Sequence, residues 1–179
     1  MRVGAFPARD ENLDAGGLKT ARVRRLAASA WLTSPASAAR QTAEALGLSP
    51  TVDEALRDID HGSWTGQTFE QVQAVDPLGL AAWLADPARG APAGESLADL
   101  RARLGDWLRR QAQSAAPVAA ITHPMVIRAL IAEALDMPSA AALRIDIAPL
   151  SAVKLSFNHA WRLQAICPSD REFLSERGS

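Results

Sequence analysis

Twice in this chain a short apolar run stops at polar residues and passes almost at once into a helical pattern, and these two junctions limit the fold more than any other feature. The first is Ala30-Trp31-Leu32-Thr33, followed by Ser34-Pro35 and a helical stretch over residues 37–46 that stops at Gly47, a residue suited to a left-handed helix end. The second is Pro117-Val118-Ala119-Ala120-Ile121, then Thr122-His123, then a helix opened by Pro124 and running to about residue 135. Proline suits the first helical position because its missing N–H has no intrahelical partner there. Apolar runs this short, bounded this way, read as strands buried on both faces, and such strands belong to parallel sheets covered by helices.

The rest of the chain continues the alternation of short apolar segments with amphipathic ones, which predicts a three-layer α/β/α fold with a mainly parallel sheet. At 179 residues one domain over 1–179 is expected. A first helix is predicted over 18–29 and a short extended piece over 51–56. Helical stretches follow from about Phe69 and around 80–84. Residues 57–95, with the Gly62-Ser63-Trp64-Thr65-Gly66 turn, read as a cap or insertion over the sheet edge. Ser96 and Asp99 have the spacing of a capping box ahead of a helix over 97–110. Residues 152–157 and 161–166 read as a terminal hairpin with Asn158-His159 in its turn.

Composition removes several classes of function. The 19 basic and 20 acidic residues leave a net charge of −1, which offers no general attraction to nucleic acid or an anionic membrane. No apolar stretch approaches the roughly 20 residues of a membrane span. The lone Cys167 has no internal disulfide partner, which fits a reducing cytoplasm. Three histidines, widely separated in sequence, imply neither a metal nor an organic cofactor. Glycine-rich dinucleotide and triphosphate loops are missing, as is a Gly-x-Ser-x-Gly elbow.

What remains is a set of side chains suited to phosphate. Where a strand gives way to a helix, unpaired amide hydrogens and the positive end of the helix dipole converge. His123, with Thr122, sits at such a place, and its alternative role is simply to cap the helix. Ser34 and Arg40 belong to the other junction, where Arg40 by itself reads first as a solvated helix residue. Asp58 and Asp60 compete for a general-acid role in the Gly-containing turn, against a plain turn-forming role. Glu95 in Gly94-Glu95-Ser96 is a third carboxylate, whose alternative is a favourable interaction with the helix dipole.

In order, Thr33-Ser34-Pro35 with Gln41-Thr42-Ala43-Glu44, Asp58 with Gly62-x-Trp64-x-Gly66, Gly94-Glu95-Ser96 with Arg103, and Thr122-His123 with Val126-Ile127-Arg128-Ala129-Leu130 resemble the histidine phosphatase superfamily, which includes the phosphoglycerate mutases. The resemblance implies a phosphoglycerate mutase-like fold. It also implies phosphoryl transfer in which one histidine attacks phosphorus, arginines and a second histidine neutralise the phosphate, and a carboxyl group protonates the leaving oxygen. His123 matches the second histidine and Asp58 the proton donor. Ser34, Thr122, Arg40, Arg9 and Glu95 are the candidate phosphate or substrate contacts.

The departures are equally specific. The family's nucleophile lies in an Arg-His-Gly motif ending the first strand, whereas the first histidine here is His61. Phe6-Pro7 and Asp10-Glu11 resemble the loop after that motif, so the strand bearing it is expected upstream of Met1. Ala38 replaces a phosphate-binding arginine, and Arg40 lies two positions on, where a helix turns it to another face. Either the chain is a shortened form of an active enzyme or it is naturally shortened. The first is preferred because losing a core strand leaves unpaired backbone groups and exposed apolar surface. The expected function is hydrolysis of a small phosphorylated metabolite, with this chain inactive or very weak and able to form a homodimer through its open edge. The competing expectation is a module that binds a phosphorylated ligand or a partner without reaction.

Overall fold

The computed structural model describes residues 4–8, 11–22, 28–114 and 116–168. Three parallel strands, β1 (Ala30–Thr33), β2 (Thr51–Val52) and β3 (Val118–Ile121), form a sheet in the order β2-β1-β3. Two further strands, β4 (Ala152–Asn158) and β5 (Ala160–Cys167), pair antiparallel as a separate hairpin. Seven helices are described: α1 (Ala15–Arg22), α2 (Ser37–Ala45), α3 (Phe69–Val75), α4 (Pro77–Ala85), α5 (Leu97–Ala112), α6 (Pro124–Ala134) and α7 (Ser139–Ala142). The fold is therefore mixed α/β with a parallel sheet.

Local chemistry sets the element ends. The Ser96 hydroxyl accepts the Asp99 N–H at 3.1 Å, and the Asp99 carboxylate accepts the Ser96 N–H at 3.2 Å, so the capping box at α5 is formed. Gly47 follows α2 with φ of 72°, the left-handed end anticipated for it. Three boundaries differ from expectation, and one helix is additional to it. Helix α1 starts at Ala15 because the Asp14 carboxylate accepts the Gly17 N–H at 2.7 Å; of the remainder of the anticipated helix, residues 23–27 lie outside the described residues. The extended piece 51–56 is strand only over Thr51–Val52, because the Asp53 side chain accepts the Ala55 N–H and winds Glu54–Leu56 into a 3-10 turn. Helices α3 and α4 meet at Asp76-Pro77, where proline starts a new helix and Asp76 caps it through Gly79 N–H. The short α7 has no apolar periodicity to announce it.

The main core lies between α5 and α6 and the sheet. Leu100, Leu104, Val126 and Ala129 are fully buried there, and Leu32 and Ala120, neighbours in the β1–β3 register, pack against them. Arg101 of α5 binds the end of α6: its guanidinium donates to the Met137 carbonyl at 2.9 Å and pairs with Glu133 at 3.1 Å. A second cluster forms around Phe6, Trp64, Val72 and Leu80. The extended segment at residues 4–6 holds it together by pairing with 66–69, through Phe6 N–H to Gln67 O at 2.9 Å and Phe69 N–H to Gly4 O at 2.9 Å. The Phe6 ring contacts those of His61, Trp64, Phe69 and Trp83.

Leu100→Ala is expected to destabilise the fold by about 2–5 kcal/mol, the transfer and cavity cost of a buried leucine. Leu78→Ala, at an exposed position of α4, is expected to stay within about 0.5 kcal/mol. Urea denaturation of both variants measures the contrast.

Candidate active site

Parallel pairing sets Thr33 opposite Ile121, so both strands finish at the same level. The Ser34 N–H donates to the Ile121 carbonyl at 2.8 Å, carrying the pairing one residue further and placing Ser34 beside Thr122-His123. His123 is the residue before α6, with an extended backbone at φ −109° and ψ 154°, and its side chain makes no capping bond. The imidazole turns instead to Ser34, with Nε2 at 2.8 Å from Oγ.

Asp58 arrives from the other side, on the loop after the Glu54–Leu56 turn. Thr122 fixes that loop to the end of β3, its hydroxyl donating to the Leu56 carbonyl at 2.7 Å. Arg103 of α5 fixes it from beneath by donating to the carbonyls of Ala55 at 2.6 Å and Arg57 at 3.1 Å. One Asp58 oxygen, Oδ1, accepts the Ile59 N–H at 2.9 Å, while Oδ2 stands 3.6 Å from His123 Nδ1. With side-chain exposures of 16% for His123 and 26% for Asp58, both groups reach solvent from a largely dry setting.

The other candidates separate. Glu95, only 9% exposed, is held by Arg103 through two oxygens at 3.0 and 2.8 Å and by Arg57 at 3.4 Å. Its carboxylate is saturated by arginines and is placed to orient them. Asp60 accepts the Gly62 N–H at 2.9 Å, and its carbonyl accepts the Glu95 N–H at 2.8 Å. That crossing is tight: Gly62 has φ of 51°, and a Cβ there would run into the Pro92 carbonyl. Arg40 is exposed on α2, in a shallow groove with Ser37, Gln41 and Glu44 that is distinct from the cleft at His123. Arg9 lies outside the described residues.

The cleft has a volume of about 1890 Å³ and runs the length of β3 to His123 and Asp58. Residues 116–124 all border it, and so do residues 147–157, including most of β4. Because successive side chains of a strand point to opposite faces, an unbroken run of lining residues means that the strand edge forms the wall. Among the described residues β3 pairs only with β1, and β4 only with β5, so the cleft separates two strand edges. Arg57, 42% exposed, lines it beside Asp58. Sequence reasoning passed over this cation, although its place directly before Asp58 was the available signal. Among the described residues no three imidazole, thiol or carboxylate groups converge to hold a metal ion, and no helix is long and apolar enough to cross a membrane.

Comparison with known proteins bears on the family and the fold. The model of the histidine phosphatase superfamily (branch 1) matches residues 9–166. A bifunctional protein of Mycobacterium tuberculosis is 35% identical over 136 residues, which cover 72% of this chain and 37% of that protein. The match thus spans little more than a third of the length of the curated relative. Among solved structures, mycobacterial glucosyl-3-phosphoglycerate phosphatase superposes with a TM-score of 0.76 at 25% identity, covering 89% of each chain. The α-ribazole phosphatase of Shigella flexneri superposes with a TM-score of 0.81 at 16% identity, covering 93% of this chain and 89% of that one, a likeness of fold.

His61 also borders the cleft, and burial pushes its imidazole below the ordinary value of 6.5, against the opposing pull of the Asp58 and Asp60 carboxylates. A histidine whose folded pKa is depressed contributes stability that is complete above the unfolded value and is lost as pH falls through the folded one. The melting temperature is therefore expected to fall between about pH 7.5 and about pH 5.5, and to fall less in His61→Gln. Parallel thermal melts of the two proteins across that range provide the check.

Proposed function

Because the chain belongs to the histidine phosphatase superfamily, we propose that it serves the hydrolysis of a small phosphomonoester through a phosphohistidine. The observation that carries this reading is the convergence of His123, Asp58 and Arg57 at the end of one cleft. His123 and Arg57 neutralise charge on the phosphoryl oxygens, whose negative charge needs fixed donors in a site with little water. Asp58 has one oxygen free of backbone bonding, Oδ2, and this oxygen protonates the leaving alkoxide. The same carboxylate then takes a proton from the water that attacks the phosphohistidine, releasing inorganic phosphate. Hydrolysis is preferred to mutase chemistry, which would need a second anion site. The substrate class is a small phosphorylated metabolite, in keeping with the phosphatases that superpose on this fold.

The nucleophile is assigned to a histidine outside this sequence, on a further strand seated against the open edge of β3. Two features support that placement. The sequence has no histidine before His61, and the cleft runs along the edge of β3 that is unpaired among the described residues, where β3 and its parallel partner β1 both end at the site. A strand running alongside β3 would finish next to His123. In a form that supplies this strand, p-nitrophenyl phosphate hydrolysis is expected, and His123→Ala is expected to lower kcat by about 10²-fold or more, the usual loss for a charge-stabilising donor. Unchanged turnover in His123→Ala would remove His123 from the reaction. Phosphate-dependent thermal stabilisation without turnover in the longer form would instead favour a non-catalytic phospho-ligand module. Without the strand, the open edge is expected to pair between copies, which size-exclusion chromatography at several concentrations would reveal as a dimer.

A further inference from the structure

Ser34, His123 and Asp58 stand in the sequence hydroxyl, imidazole, carboxylate that often marks a serine nucleophile. Ser34 does not fit that role. It is fully buried and is not among the residues that border the cleft, so no electrophile has a path to its oxygen. The geometry points to a different one: we propose that Ser34 is a positioning residue that fixes the tautomer of His123, so that the ring presents Nδ1–H, and not Nε2, to the cleft.

The argument is a count of hydrogens. A serine hydroxyl has one proton and two lone pairs. Ser34 Oγ accepts the Ala36 N–H at 3.2 Å, which uses one lone pair, and faces His123 Nε2 at 2.8 Å. At the other ring nitrogen stands Asp58 Oδ2, 3.6 Å from Nδ1. A carboxylate favours a proton on the nitrogen that faces it. A neutral ring with Nδ1 protonated has a bare Nε2, and that nitrogen needs a donor. The Ser34 hydroxyl is that donor, and its burial means that no water competes for the bond. The two ends of the ring therefore favour the same tautomer.

The chemical consequence rests on the phosphatase reading. The separation of 3.6 Å between Nδ1 and Oδ2 is longer than a hydrogen bond. A phosphoryl oxygen arriving from the cleft can then take the Nδ1–H without displacing a formed bond, and Asp58, ionised in the free protein, is left free to take up the proton of an incoming phosphate monoanion and pass it to the leaving oxygen. Ser34 thus acts on the reaction through His123 while touching neither substrate nor phosphate.

The test is long-range proton–nitrogen correlation NMR on this chain labelled with nitrogen-15 histidine, at a pH where the imidazoles are neutral. The His123 signals are identified by their loss in His123→Gln. The expected wild-type spectrum shows the Nδ1–H form, whereas a free histidine side chain prefers Nε2–H. Ser34→Ala is expected to shift the tautomer ratio toward Nε2–H by about tenfold, the equilibrium effect of one hydrogen bond, and Ser34→Thr, which restores a hydroxyl, to return it. An Nε2–H ring in the wild type, or an unchanged ratio in Ser34→Ala, would overturn the proposal. Should Ser34→Ala not fold, wild type and Ser34→Thr decide the matter, since an Nε2–H ring in either refutes it. The spectrum is read without substrate or turnover, so its outcome is independent of whether the hydrolase reading survives.

Discussion

The pairing of β1 with β3 in parallel register determines where every group at this site comes to rest. With Thr33 opposite Ile121, two strand-to-helix junctions that are far apart in sequence finish side by side, and Ser34 meets the His123 ring within hydrogen-bonding distance. An antiparallel arrangement would send the two junctions to opposite ends of the sheet. A slip of one residue would turn the inward-facing side chains outward. The apolar contacts of Leu32 and Ala120 with α5 and α6 hold the register from one face, so core packing and site geometry are fixed by the same pairing.

Around that pairing, short polar contacts bring the Asp58 loop into place. Thr122 takes hold of the loop from β3 through the Leu56 carbonyl, and Arg103 does so from α5 through two more carbonyls. Both side chains spend these donors on backbone carbonyls. Each converts a rigid element into a support for Asp58, a loop residue whose carboxylate has to face the imidazole.

Much of this was legible in the sequence because it is local. The capping box at Ser96 and Asp99, the left-handed Gly47 and the proline at the start of α6 are written in neighbouring residues, and the structure contains each. The juxtaposition of Asp58 and His123 followed from resemblance, since nothing local joins residues so distant. Glu95 shows where sequence reading stops. Its place before α5 suggested either a carboxylate acting at the site or one interacting with the helix dipole, but Arg103, two turns along α5, and Arg57, from another loop, fold over it. Arg57 was overlooked for the matching reason: its position at the cleft depends on the turn that Asp53 and Arg103 impose. The exposure of Arg40 away from the cleft was legible, because its two-position offset on the helix turns it to another face.

The reach of Arg103 also affects how variation in this protein will be interpreted. A substitution in the middle of a core helix is ordinarily classed as a matter of folding, and one near a reactive carboxylate as a matter of function. Helix α5 does not permit that division. The helix that carries Leu100 and Leu104 into the core also carries the guanidinium that holds the backbone of residues 55 and 57. A sequence change that improves the packing of α5 while rotating it slightly would be recorded first as a displacement of the Asp58 loop, in a protein whose melting behaviour gave no warning.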